Sequence, residues 1–210
     1  MVTTDECQIV IDAILDFKEK VYPVDKRASK ELMFLLGEYY VLQKLCPTYP
    51  NAEHKGGQVH CDIIIENPHI EIEVKTSTLK NDKRIFKGEI SIWGWTVETE
   101  KQQNKRISDK ESKPRFNYVV CVALDQTWRF PKYYVFSWKE AIINNNDVIK
   151  RAHANIKKRI HIFQNPADYK VAQDITKNLD NKSNEITELD EKISKDELHY
   201  LERWDRILGN

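Results

Sequence analysis

A chain of 210 residues is long enough for one well-cored domain with a small appendage, and 40% hydrophobic with 31% charged residues excludes a disordered polymer. No apolar run approaches the roughly 20 residues that span a bilayer and no basic start leads into an apolar leader, so the expected setting is cytoplasmic, with no membrane partner. Net charge is zero; Cys7, Cys46, Cys61 and Cys121 show no C-x-x-C spacing and the histidines no H-E-x-x-H, which leaves reduced core thiols and removes a structural zinc site.

In chain order, residues 5–20 predict an amphipathic helix with Ile9, Ile11, Ile14, Leu15 and Phe17 as its apolar positions. A second helix over 29–45 ends before Pro47. Within it Glu38 is flanked at three and four residues by Phe34, Leu35, Val41 and Leu42, which predicts a carboxylate in a buried stripe that needs a partner. Either it reaches a metal site or it bonds a structural group. Residues 46–58 read as a loop whose His54-Lys55-Gly56-Gly57-Gln58 end lies at the mouth of whatever follows.

Val59 to Ile65 then reads as a β-branched strand, Glu66-Asn67-Pro68-His69 as a turn, and Ile70 to Lys75 as a strand alternating apolar and charged residues. A four-residue turn that pairs Ile65 with Ile70 sets Asp62 across from Glu73, with Lys75 two residues along on the same face. Two facing carboxylates repel unless a positive charge lies between them. A hard divalent cation suits that geometry.

Further on, Thr76 to Lys87 is polar and basic. Ile90 to Val97 holds Trp93 and Trp95 around Gly94, read as core aromatics in preference to base-stacking ones. Residues 98–115 are a polar segment with Lys101, Lys105 and Arg106. Phe116–Leu124 predicts a central strand, Lys132–Trp138 another, and Ser137-Trp138-Lys139-Glu140 a capping box. Residues 148–162 predict a helix with Ile149, Ala152, Ile156 and Ile160 inward. After Pro166 the chain reads as a loosely held linker through 184, and Ser194-Lys195-Asp196-Glu197 as a capping box. That box would open a helix with the apolar stripe Leu198, Leu201, Trp204, Ile207.

Asp62 followed by Glu73-Val74-Lys75 on the next strand resembles the PD-(D/E)xK motif of the restriction endonuclease-like nucleases, and Gly37-Glu38 resembles the acidic helix that precedes it in that superfamily. The likeness covers residues 29–137; Cys61 stands where the motif has proline. It implies an α/β fold with a restriction endonuclease-like core, a mixed sheet that starts as an antiparallel hairpin and is flanked by helices. The expected division is a nuclease domain over 1–165 and an extension over 166–210. The implied chemistry is phosphodiester hydrolysis. Asp62, Glu73 and the Val74 carbonyl hold Mg2+, Glu38 assists, and Lys75 orients or activates water and offsets developing charge.

Charge separation on the neutral chain allows a nucleic-acid partner. Residues 147–161 carry Lys150, Arg151, Lys157, Lys158 and Arg159 against Asp147, residues 77–115 ten bases against six acids, and the stretch from 166 onward seven bases against eleven acids. The expected partner is double-stranded DNA, bound by those basic stretches. A type II restriction enzyme acting as a homodimer ranks first, with the C-terminal stripe and the Trp93–Trp95 segment as apolar surfaces that either form the contact or fold back on the same chain. A structure-selective nuclease and a catalytically silent DNA-binding protein remain the alternatives.

Overall fold

The computed structural model describes residues 2–21, 28–56, 61–81, 90–97, 116–141, 158–176 and 188–209. Two units share the chain: Met1–Thr78, Arg115–Val135 and Glu202–Asn210 form unit 1, and Leu79–Pro114 with Phe136–Leu201 form unit 2. The expected boundary at 165/166 marks neither of them. Unit 2 runs through it, and the last residues return to unit 1.

Unit 1 starts with helix α1 (Thr4–Val21). Thr3 and Glu6 cap it reciprocally: the Glu6 carboxylate accepts from the Thr3 N–H at 2.7 Å, and the Thr3 hydroxyl accepts from the Glu6 N–H at 3.2 Å. Cys7, Ile11, Ile14 and Leu15 are buried, whereas Ile9 is 68% exposed and Phe17 also faces outward. At about 100° per residue, Ile9 lies across the helix from the stripe through Cys7 and Ile11. Helix α2 (Ala28–Leu45) buries Met33, Leu36, Tyr40, Val41 and Leu45. Phe34 is exposed and Glu38 flanks the buried face, so the expected apolar surround of Glu38 is half correct.

Five strands follow in unit 1's sheet: β1 (Ala52–His54), β2 (Ile63–Ile65), β3 (Ile70–Thr78), β6 (Tyr118–Leu124) and β7 (Lys132–Ser137), ordered β1-β2-β3-β6-β7. The β1–β2 and β2–β3 pairs are antiparallel and β3–β6 is parallel, so the sheet is mixed, as expected of an α/β fold. Ile63, Ile65, Ile72, Val74, Val120, Val122 and Leu124 join α1 and α2 residues in one core. On β6 the alternate residues Val119, Cys121 and Ala123 are buried too, which explains its unbroken apolar sequence. β1 corrects the loop reading of 46–58; with three residues it is too short to show a period.

Unit 2 holds β4 (Lys80–Asn81), β5 (Ser91–Val97) and β8 (Lys158–Phe163) as an antiparallel sheet in the order β4-β5-β8. Trp93 lies opposite Ile162 and Trp95 opposite Ile160, all four buried, so the tryptophans are core residues. β8 corrects the helix expected over 148–162 for its last part. Lys158 to Phe163 alternates β-branched residues at a period of two, and pairing with β5 outweighs the helical spacing of Ile156 and Ile160. Helix α3 (Trp138–Ala141) carries the expected capping box: the Ser137 hydroxyl donates to Glu140 at 2.7 Å, and the Ser137 N–H donates to the same carboxylate at 2.8 Å.

Helix α4 (Asp168–Thr176) replaces the start of the expected linker. Its Ala172 is buried against Ile90, Ile92 and Phe163, with Tyr169 edge-on to Phe163. Residues 177–184 of that linker lie outside the described residues. Helix α5 (Glu188–Lys195) contains Ser194, so the second capping box does not form. The expected C-terminal helix is instead a 3-10 turn at Glu197–His199, a break at Glu202 (φ 54°) and helix α6 (Asp205–Leu208). The stripe is thereby dismantled, since Leu198 is 75% exposed and Ile207 is buried. In unit 1 the Glu202 N–H donates to the Tyr133 carbonyl at 2.7 Å, a bond that a continuous helix would forbid.

All four cysteines are free and buried. No helix among the described residues is long and apolar enough to cross a membrane.

Candidate active site

The site is built by a register and by its interruption. Ile65 pairs with Ile70, Ile64 with Glu71 and Ile63 with Ile72, which is the register the four-residue turn predicts. The next rung is missing. The Asp62 N–H bonds the Ile72 carbonyl at 3.0 Å, and the chain leaves the ladder there, so Asp62 is no regular strand partner of Glu73. Its carboxylate instead accepts from the Val74 N–H at 2.7 Å, taking the place of the departed strand's carbonyl. The Lys55 N–H holds the Asp62 carbonyl from the β1 side at 2.9 Å. Asp62 is thus fixed through its N–H, its carbonyl and its side chain. In a strand a residue's N–H and C=O point the same way, so the Val74 carbonyl is directed to the same edge as Asp62.

Glu73 and Lys75 follow at the two-residue period on β3, and the Lys75 ammonium is ion-paired to Glu73 Oε1. Both side chains are partly buried. β3 is held on its other side by β6, with Glu73 beside Val119 and Lys75 beside Cys121, so the charged pair sits on an interior strand.

Burial raises the Asp62 carboxyl to about 7, and repulsion from Glu73 and, more weakly, Glu38 adds to it; the Val74 hydrogen bond and Lys75 oppose the change. Burial works against the Lys75 charge, but Glu73 and Asp62 outweigh it and hold the ammonium above its ordinary value. Burial, then the charges of Glu71, Asp62 and Glu73, push the Cys61 thiol to about 12, which makes it an inert neighbour and not a nucleophile.

The structure therefore brings together Asp62, Glu73, Val74 and Lys75. Glu38 is paired elsewhere: its Oε2 meets His54 Nε2 on β1, and its charge is felt at Asp62. Sequence reading missed that contact, because β1 was read as loop. Lys158 and Arg159 open β8, opposite Val97 and Thr96, and are strand residues instead of helical ones. Lys101, Lys105, Arg106, Lys150, Arg151 and Lys157 lie outside the described residues, as does the whole 98–115 segment.

A hard cation fits the donors present. Asp62 and Glu73 offer carboxylate oxygens, Val74 a main-chain carbonyl, and the raised Asp62 carboxyl marks a spot with too much negative charge and too little solvent. Among the described residues no three His, Cys, Asp or Glu side chains are grouped to cage an ion on their own. Carboxylate and carbonyl oxygens are the donor types that would suit Mg2+, whereas soft or borderline metals would call for a thiolate or imidazole set.

Comparison with known proteins returns no match: no family model, no characterised relative and no solved structure corresponds to the chain.

Proposed function

We propose that this chain is a Mg2+-dependent deoxyribonuclease with a restriction endonuclease-like core, hydrolysing phosphodiester bonds of double-stranded DNA. The observation that carries the reading is the interrupted hairpin, which sets the Asp62 carboxylate on the Val74 N–H beside the Glu73–Lys75 pair. A partly buried acid pair with a lysine at an interior strand costs stability that apolar residues there would not. Such an arrangement is kept for chemistry more readily than for folding.

Asp62, Glu73 and the Val74 carbonyl would hold the cation, whose role when bound is to act as a Lewis acid on the phosphoryl oxygen. Asp62 must lose its proton to serve, so metal binding strengthens as pH rises through about 7. Lys75, held charged by its neighbours, stabilises negative charge that builds on the phosphate in the transition state. Its raised proton affinity makes it a poor general base, so the electrostatic role is the one assigned to it.

Within this reading a type II restriction enzyme would cut both strands in one binding event by pairing two copies about a two-fold axis. A structure-selective nuclease is the second reading, favoured by one observation. Trp93 and Trp95 are buried and the C-terminal stripe is broken, so neither apolar surface named for the dimer contact is available as expected.

The test is supercoiled plasmid DNA incubated with the pure protein and Mg2+. Wild type should linearise or nick it; discrete fragments fit a restriction enzyme, smears a structure-selective one. Lys75→Ala should cut at least a hundredfold more slowly, equivalent to about 3 kcal/mol in the barrier, while its circular dichroism and DNA affinity stay unchanged. Near wild-type cutting by Lys75→Ala rules the reading out.

A further inference from the structure

Glu38 and His54 meet on the helix side of the hairpin, with side chains 16% and 15% exposed. Each is held by something other than the contact between them. Gly37 lies against Thr76 of β3, so close that a Cβ on residue 37 would collide with the Thr76 hydroxyl. Glu38 is the next residue, and its backbone is therefore fixed against the strand that carries Glu73 and Lys75. His54 is fixed by β1, where it pairs with Ile63, one rung before the Lys55 N–H bonds the Asp62 carbonyl. The Tyr39 ring packs against the imidazole at 5.2 Å between centroids.

Asp62 and Glu73 are both acidic, and the charge of Glu38 is felt at Asp62. A glutamate side chain with three free torsions would leave such neighbours for water, where its charge is screened. The contact of His54 Nε2 with the Glu38 carboxylate removes that freedom. An apolar pair would tie α2 to β1 with less desolvation cost, so the pairing suits a carboxylate that must be held near other carboxylates.

We infer that His54 is a positioning residue for the acidic site: it holds the Glu38 carboxylate toward the Asp62 edge, from which Glu38 acts on a divalent cation through a bridging water. This rests on the metal-site reading above and assigns the histidine a role within it. Outer-shell partners of metal-binding carboxylates typically contribute a factor of ten to a hundred to metal affinity, and the same scale applies here.

Calorimetric titration of Mg2+ into DNA-free protein tests the role without reference to cleavage. His54→Ala and Glu38→Gln should each weaken Mg2+ binding about tenfold, and the double variant should be no worse than either single one, because both remove the same held carboxylate. His54→Gln, whose amide can donate to Glu38, should recover most of the affinity. Equal Mg2+ affinity in wild type and His54→Ala, or additive losses in the double variant, overturns the inference and leaves a purely structural tie. If His54→Ala fails to fold, His54→Gln and Glu38→Gln against wild type decide the same question: near wild-type affinity in the first with a tenfold loss in the second supports the role, and no loss in Glu38→Gln overturns it. Should wild type bind Mg2+ and His54→Ala lose it while no plasmid is cut, the nuclease reading fails and the positioning role stands. Failure of wild type to bind Mg2+ at millimolar concentration overturns both.

Discussion

The β2–β3 hairpin of unit 1 and the β5–β8 ribbon of unit 2 share the same antiparallel pleat, and each turns Ile side chains into its own core. They part in what fills the remaining positions. Along β5 and β8 these are Trp93 and Trp95 facing Ile162 and Ile160, so both faces contribute apolar contact. Along β3 they are Glu71, Glu73 and Lys75, on a strand flanked by β2 and β6. The ribbon has pairing without interruption from Ile92 to Val97, whereas the hairpin breaks its ladder at Asp62, one residue before Ile63, so that a carboxylate can stand in for a carbonyl. The buried Trp and Ile side chains of the ribbon are accounted for by packing. The charged residues of the hairpin are not, and this excess of partly buried charge marks the candidate site.

Three substitutions sharpen that contrast, beginning with the ribbon. Trp95 is 2% exposed and among the largest fully buried side chains. Trp95→Ala should destabilise unit 2 by about 3–5 kcal/mol, read from denaturant or thermal unfolding. Trp95 belongs to unit 2 and the acidic residues to unit 1, so with the fold retained at low temperature Mg2+ binding should match wild type. Loss of Mg2+ binding in folded Trp95→Ala would break the division between a packing sheet and a chemical one.

The second substitution is on the helix behind the hairpin. Gly37→Ala puts a methyl group onto the Thr76 hydroxyl, an overpacking cost of about 1–3 kcal/mol. Thr76→Ala removes the hydroxyl and the Cγ2 methyl and leaves the residue's own Cβ at 2.9 Å, so adding it should return part of the lost stability. A double variant no more stable than Gly37→Ala alone would mean that the glycine is required for another reason.

How legible each region was in the sequence follows from the range of its contacts. The hairpin register could be read because a four-residue turn links its strands, and the apolar run of β6 could be read because both faces are buried. The parallel pairing of β3 with β6 and the partner of β5 carry no local signal, since each joins segments far apart in the chain. Leu198, Leu201, Trp204 and Ile207 have good helical spacing, yet the bonds from Glu202 to Tyr133 and from Arg206 to the Val135 carbonyl at 3.2 Å impose another path. Asp62, Glu73 and Lys75 were legible as a group. The His54–Glu38 contact was not, because a three-residue strand shows no period and the Gly37–Thr76 approach that frames it is a matter of small side chains, which leave no pattern.

The smallest effect concerns Asp62 itself and gives the contrast a pH dependence. An unfolded chain loses the Asp62 proton near 3.9, whereas burial, with Glu73 adding to it, holds the folded carboxyl at about 7. Between those values the folded state binds the extra proton, so stability falls as pH rises from about 4 to about 7 and the full penalty is present above that. A displacement of that size corresponds to roughly 4 kcal/mol at most, and solvent at this partly exposed edge screens it to about 1–2 kcal/mol. Asp62→Asn keeps an oxygen that can accept from the Val74 N–H and removes the charge. The variant should therefore melt close to wild type at about pH 4 and higher than wild type at about pH 8, with Mg2+ stabilising wild type and leaving the variant nearly unchanged. A variant less stable than wild type at both pH values would make Asp62 a structural acceptor, and the hairpin would then have no more claim to chemistry than the tryptophan ribbon.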